Sequence, residues 1–472
     1  MNKIKIFIIG MFTVILTAFP ALAEELTINN GDTLTLQGCI DIAVKKNPNI
    51  TLGNNINKIY ESRIGQAKST YFPQLNLSSG YSRQNPTTNS ALDNSISQYA
   101  GSVGVNQLLF DFGKTPTKVK IQNLNLDSSK FDVDNTVVQV AYNVKQAYFN
   151  ALSAKISKDI YNQSIKQYEK HLEQANAFFK TGIRSKIDVT TAEVNLSNVK
   201  LDYIKANNIY KTSISNLNNA MGLPEAPEYD IEDTFTFNHI DNNAENEVDI
   251  SYQHNKKLEK PEKKSVLKSK ISKQNIIDNL NFKKYDISFE DAIKTAYNSR
   301  PDLKSLAVKE NAAKESIKLV KKDYLPSLSG FTNYGIGGQQ FPLDNGWSVG
   351  ANVNVPIFNG FLTKSQINEA KANLDIAKSD VEILRQNIYL QVQQAYINLI
   401  EAEKRIPVTS LIVKQAQEKL DLANGRYTVG VGNSIEVQDA EISYDNAQLS
   451  FVQALYDYNI ARSNLEKAMG VK

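Results

Sequence analysis

The sequence is poor in the residues that most often declare a chemistry. Cys39 is the only cysteine among 472 residues, so no intrachain disulfide framework can form, and a lone cysteine is expected to fill a small apolar position. The three histidines, His171, His239 and His254, stand at no ligand spacing, and there is neither a Gly-rich phosphate loop nor a nucleophile elbow. Scattered carboxylates on helices are expected to be solvated faces. An enzyme is therefore not expected, and no metal or other cofactor is implied. Neither sign of charge is in excess: 53 Lys and Arg against 50 Asp and Glu give a formal +3, which leaves no basic field for nucleic acid. Past residue 23 no run is apolar enough to cross a bilayer as a helix. The strand and helix alternation of a large enzyme is missing as well.

What is there begins with Lys3 and Lys5, an apolar core from Ile6 to Phe19, and the small-x-small site Ala21-Leu22-Ala23. Together these predict a secretory signal peptide over residues 1–23, cleaved to leave Glu24 near the new N-terminus. No cysteine follows that site, so a lipid anchor is not expected.

The remainder reads as one unit written twice. Leu36 to Ala43 followed by Asn47-Pro48 matches Phe289 to Ala296 followed by Arg300-Pro301, 253 residues on. Each predicts a short amphipathic helix stopped before proline and then a second helix. That second helix ends at Tyr71-Phe72-Pro73 and at Tyr324-Leu325-Pro326. From there the chain turns to alternation: Leu75, Leu77 and Tyr81 against Asn76, Ser78 and Ser82, then Tyr99, Val103 and Val105 against Ala100, Ser102, Gly104 and Asn106. In the second unit Trp347, Val349, Ala351, Val353 and Val355 alternate with Ser348, Gly350, Asn352 and Asn354, while Phe331 breaks the phase of Leu328 to Tyr334. Each unit thus predicts one hairpin with an apolar and a small polar face, the pattern of a transmembrane β-barrel with strands of about ten residues.

Long helices follow, from about Thr117 to Thr181 and from about Ser365 to Thr428, each close to 95 Å at about 1.5 Å per residue. The helices that return carry a heptad seam of ten positions, from Val189 to Ala220 and from Val437 to Ala468, each matched to its twin at an offset of 248. A 3.5-residue period predicts left-handed supercoiling. Reversal occurs at two tips, one around Gly182 and one around Gly430 and Gly432. Residues 24–222 and 286–472 are therefore expected to be two repeats. Between them, residues 223–285 form a polar insert, acidic and then lysine-rich, expected to be largely solvated and partly disordered.

Four strands cannot close around a pore, and an open sheet edge is forbidden in a bilayer. Several protomers must share one barrel, and three would supply twelve strands. The architecture expected is mainly α with a transmembrane β-barrel, the long coiled-coil helices continuing the cylinder. A secreted periplasmic scaffold or spacer without a pore explains the heptads but not the amphipathic strands. Nor does it explain the aromatics at the strand ends, Tyr71, Phe72, Phe110, Tyr324, Trp347 and Phe358, which suit a membrane interface.

The paired junctions Tyr71-Phe72-Pro73 and Tyr324-Leu325-Pro326, the turns Phe110 to Gly113 and Phe358 to Gly360, and above all the tip YTVGVGNSIEVQDA resemble the outer-membrane efflux protein family typified by TolC. The resemblance spans nearly all of the mature chain outside the insert. It implies a homotrimeric channel-tunnel set in outer-membrane lipid and extending into the periplasm. Such a channel is a passive conduit opened at its periplasmic tip. It would export drugs and other small molecules, or secreted polypeptides as in type I secretion, with a periplasmic adaptor (membrane fusion) protein and an inner-membrane pump of RND or ABC type. By position, Glu436 and Asp439 resemble the family's acidic entrance ring, although Asn433-x-x-Glu436 and Ser185-x-x-Asp188 also fit capping boxes. Asp188 and Tyr427 resemble participants in the links that hold the family's tips closed. The arginine usual in the second tip is replaced by Gly432, leaving Arg184 or Arg426 as candidate substitutes.

Overall fold

A computed structural model describes residues 28–85, 95–232 and 284–471; the expected signal peptide and nearly all of the lysine run lie outside the described residues. A two-residue strand β1 (Thr33–Leu34) leads into α1 (Leu36–Lys46), whose first turn is capped by Thr35 Oγ1 accepting the Gly38 N–H at 3.0 Å. Pro48 ends that helix and opens the next, α2 (Pro48–Lys68), at the one position where a missing N–H costs nothing. Two extended strands follow, β2 (Gln74–Gln84) and β3 (Ile96–Phe110), then α3 (Lys114–Lys180) and α4 (Lys186–Met221). Gly222, with φ +79, stops α4 in the left-handed conformation that glycine adopts without a Cβ penalty.

The first residues of the insert are folded. Strand β4 (Asp230–Ile231) pairs in parallel with β1, and Ile231 is buried beside Tyr148, whose hydroxyl bonds to the Leu34 and Glu232 carbonyls. Cys39 is fully buried in the same cluster, as a small apolar filler, and burial pushes its thiol up to about 12.

The order then repeats as α5 (Phe289–Ser299), α6 (Pro301–Lys321), β5 (Ser327–Gly338), β6 (Asp344–Asn354), α7 (Leu362–Thr428) and α8 (Ser434–Ala468). Helices α3 and α7 each hold 67 residues, about 100 Å of helix. A shared contact shows how closely the units correspond. Asn47 Nδ2 donates to the Ala220 carbonyl at 2.9 Å, and Arg300 Nη1, 253 residues on, donates to the Ala468 carbonyl at 3.2 Å. In both units the residue before proline satisfies the frayed end of the returning helix.

The four long strands form one antiparallel sheet in the order β2-β3-β5-β6. Beneath it the helices also lie in rows of four. Near the sheet α2 packs on α3, α3 on α6 and α6 on α7; toward the tips α4 packs on α3, α3 on α8 and α8 on α7. All twenty seam positions predicted on α4 and α8 are buried or half-buried.

Candidate functional site

Register decides what each face of the sheet can meet. Leu75 stands opposite Val105, Leu77 opposite Val103 and Tyr81 opposite Tyr99; Val103 in turn faces Tyr334, which faces Trp347. One face is therefore mainly apolar, interrupted by Ser79 and Thr332, and its Leu77, Trp347 and Val349 side chains are at least 70% exposed in the single chain. The other face carries Asn76, Ser78, Ser102, Asn333 and Asn352, with Ser78 and Ser102 hydrogen-bonded at 2.8 Å. Phe331, out of phase in the sequence, is on this polar face, with its ring over Gly350 where a Cβ would meet it at 2.7 Å.

All six aromatics expected at an interface are exposed. Tyr71, Phe72, Phe110, Tyr324 and Phe358 cluster where strands meet helices, whereas Trp347 is at the far end of its hairpin, level with Tyr334. From Phe72 to Tyr81 is about 30 Å along a strand, or about 23 Å of height at the usual barrel tilt of about 40°. That matches the apolar band of an outer-membrane barrel.

At the other end of the helices the two tips stand side by side. Gly182 and Gly430, with φ +76 and +82, reverse the chain after α3 and α7. Gly432 does something else: its φ lies outside the left-handed region, but a Cβ there would meet Arg426 Cβ at 2.9 Å and the Arg426 carbonyl carbon at 3.1 Å. It is a close-approach glycine, not the second pivot expected from the sequence.

Arg184 reaches across from the first tip and donates from Nη2 to the Gly432 carbonyl, its guanidinium 5.1 Å from the centre of the Tyr427 ring. Tyr427 is buried against Phe178 and His171. Burial pushes its phenol up, Asp188 adds to the rise, and Arg184 opposes it. Arg184, Asp188, Tyr427 and Gly432 thus form one group.

Arg426, Glu436 and Asp439 form a second group along a groove between α7 and α8. Both capping readings are resolved by distances. Ser185 N–H and Oγ both donate to Asp188 Oδ2, at 3.2 and 3.1 Å, so that carboxylate is engaged as a cap. Asn433 Oδ1 accepts the Glu436 N–H at 2.8 Å, but the Glu436 carboxylate turns to Arg426 Nε at 3.2 Å instead of back to the cap. Asp439 is exposed.

One group departs from the expectation that helix carboxylates are solvated. Between α3 and α8, a few turns from the tips, Glu441 is 1% exposed and accepts from or donates to His171 Nδ1 at 3.2 Å according to protonation. One turn on, Asp445 Oδ1 accepts from Ser164 Oγ at 2.7 Å and Tyr168 bonds to the same carboxyl. Among the described residues no cluster of three His, Cys, Asp or Glu is placed to hold a metal.

A sheet with one apolar and one polar face, continued by 67-residue helices that end in paired tips, is the architecture of a membrane-channel protein with a long helical extension. The family described as "Outer membrane efflux protein" matches residues 47–223 and 292–471, and the chain belongs to it. It is similar to "Outer membrane protein TolC" of Escherichia coli (strain K12), 23% identical over 431 residues, covering 86% of this chain and 76% of TolC. It is also similar to "Outer membrane efflux protein BepC" of Brucella suis biovar 1, 22% identical over 464 residues, covering 97% and 87%. The Campylobacter jejuni CmeC outer membrane channel shares the fold, with a TM-score of 0.68 at 18% identity over 92% of this chain and 85% of CmeC. The protein is an outer-membrane efflux channel of the TolC family that extends into the periplasm, and not an enzyme.

Proposed function

We propose that three copies of this chain close into one tube, a passive conduit from an inner-membrane pump to the outside. The observation that carries this is an unequal pair of twins. Val452 on α8 is 3% exposed because α8 packs on α3, whereas its twin Ile204 on α4, 248 residues earlier, is 63% exposed. The reverse face behaves likewise. Phe149 and Ile160 are buried on α3, where Phe149 meets Tyr456 of α8, but their twins Ile397 and Val408 on α7 are exposed. The α3–α8 contact therefore has an unmade counterpart, α7 of one copy against α4 of the next. The sheet ends in the same way, with β2 and β6 at its edges. Repeating one rotation satisfies every flank at once. Two copies would give eight strands, a barrel filled by its own side chains, while three give twelve and an open lumen.

In this assembly residues 24–222 and 286–472 act as equivalent half-units on either side of the 223–285 insert. The polar sheet face lines the lumen, and the six tips ring its mouth. Asp439 and Glu436 form the acidic entrance ring and favour cations by charge. Arg184, with Tyr427 and Asp188, takes the restraining place of the arginine that Gly432 replaces. A periplasmic adaptor docks on the apolar tip residues Ile183, Ile187, Val429, Val431 and Ile435, all more than 60% exposed. Small toxic molecules or polypeptides are the cargo, chosen by the pump of RND or ABC type.

The test is to purify the protein from outer membranes and record single-channel currents in planar bilayers. Cation-selective conductance from a trimer is expected. Recovery as a soluble periplasmic monomer, or a trimer without conductance, would defeat the reading.

A further inference from the structure

We infer that the α3–α8 seam above the tips is a proton-operated latch: a proton held within the cluster of His171, Glu441, Asp445 and Tyr168 keeps the two hairpins together, and its loss lets them part. The position matters first. Among the described residues, the main packing between long helices of the two units along the lower half is α3 on α8, so this seam fixes the second tip relative to the first. The cluster is also short of compensating charge. His171 Nε2 and Glu441 Oε2 are buried without a hydrogen-bond partner, and Glu441 and Asp445, four residues apart on α8, repel each other when both are ionised.

Every element packed around Asp445 brings groups to it. From α3 come Ser164, Tyr168, Tyr161 and, beside Glu441, His171; from α8, Glu441 and Tyr444. Asp202 and Lys205 of α4 act on Tyr161, and Asp421 of α7 on Tyr444. Only one of these, Lys205, is a fixed cation, and acids outnumber it. Burial foremost, then the Glu441 charge, push the Asp445 carboxyl up to about 6 against the Ser164 and Tyr168 hydrogen bonds.

The sign follows from linkage. A carboxyl whose packed-state value is raised above 3.8 costs the packed seam nothing below that value, and the penalty grows until it is complete above about 6. The seam therefore weakens as pH rises between those limits. The twin positions on α7 and α4 carry Lys419 and Ser197 in place of His171 and Asp445, which confines the device to one seam of each protomer.

Spin labels on two exposed positions, Gln163→Cys on α3 and Asn446→Cys on α8, report the seam in the purified full-length protein whether or not it conducts. With Cys39→Ala in the background, pulsed electron resonance at pH 4.5 and 7.5 should show the longer-distance population rise on the order of tenfold at the higher pH. Asp445→Asn should hold the short distance at both values, and Ser164→Ala, which removes a bond favouring the ionised form, should move the midpoint upward. Distance distributions that are alike at the two pH values, or a transition that survives unshifted in both variants, would overturn the latch. The consequence for conduction rests on the channel reading. A seam that titrates in a protein without currents would leave the latch standing and remove the channel, while pH-indifferent currents with a fixed seam would do the opposite.

Discussion

The guanidinium of Arg184 in the first tip donates to the carbonyl of Gly432 in the second, 248 residues further on, and lies over the ring of Tyr427. This links the two tips of one protomer by a charged donor in a half-buried setting, an interaction that contributes about 1.5–3 kcal/mol. Arg426 is the weaker candidate. Its partner Glu436 belongs to the same hairpin and both side chains are exposed, which limits the pair to about 0–1 kcal/mol. In planar bilayers Arg184→Ala is therefore expected to raise the open-state occupancy about tenfold, and Arg426→Ala by less than about threefold. Equal conductance in wild type and Arg184→Ala would remove Arg184 from the restraint.

An arginine placed at position 432 should not supply a latch. Gly432 has Arg426 backbone and Cβ within 3.1 Å of where its own Cβ would be, and backbone cannot swing aside as a side chain can. Gly432→Ala is expected to displace the second tip and cost about 1–3 kcal/mol locally, with Gly432→Arg worse. Limited proteolysis gives the readout: cleavage between 425 and 435 should accelerate in both variants. Gly182→Ala, which has open space but a φ of +76, should show the smaller cost of left-handed backbone, about 1–2 kcal/mol.

Much of this fold was legible because both units obey the same periodicities. The X-Pro breaks, the strand alternation and the heptad seams all appear where their spacing put them. What stayed hidden lies where the two units differ. Helix α8 buries two faces and α4 buries one, so Glu441 is enclosed while its twin Glu193 is exposed. No repeat pattern can report a burial that depends on which neighbour a helix acquires. Pro407 removes one N–H from the ladder, yet α7 continues through it, within the span expected from about Ser365 to Thr428. At the tips, the sequence could not say whether a carboxylate turns to its cap, as Asp188 does, or away, as Glu436 does.

That last difference sets the order of two charge effects at the mouth. Glu436 is partly neutralised by Arg426 at 3.2 Å, whereas Asp439 is exposed and its carboxylate makes no side-chain ion pair among the described residues. Asp439→Asn should therefore weaken cation preference more than Glu436→Gln, and the double variant should abolish most of it. Reversal potentials in a tenfold salt gradient measure this. A larger shift from Glu436→Gln would mean that Arg426 does not hold its carboxylate in the working channel.

The flanks offer a test of assembly that separates it from folding. Ile397 on α7 is 58% exposed within one chain, while Ile388, nine residues earlier, is fully buried in the second unit's core. Ile397→Glu should leave the protomer folded but unable to cover the next copy's α4, because an ionised carboxylate would have to be buried where each apolar side chain otherwise contributes about 1.5–3 kcal/mol. With three such seams the trimer should be lost in size-exclusion chromatography while circular dichroism keeps its helical signal. Ile388→Ala should do the reverse at first, lowering the thermal midpoint through a cavity that costs about 2–5 kcal/mol before any change in assembly. An intact trimer in Ile397→Glu would place the seam between copies on another face of α7.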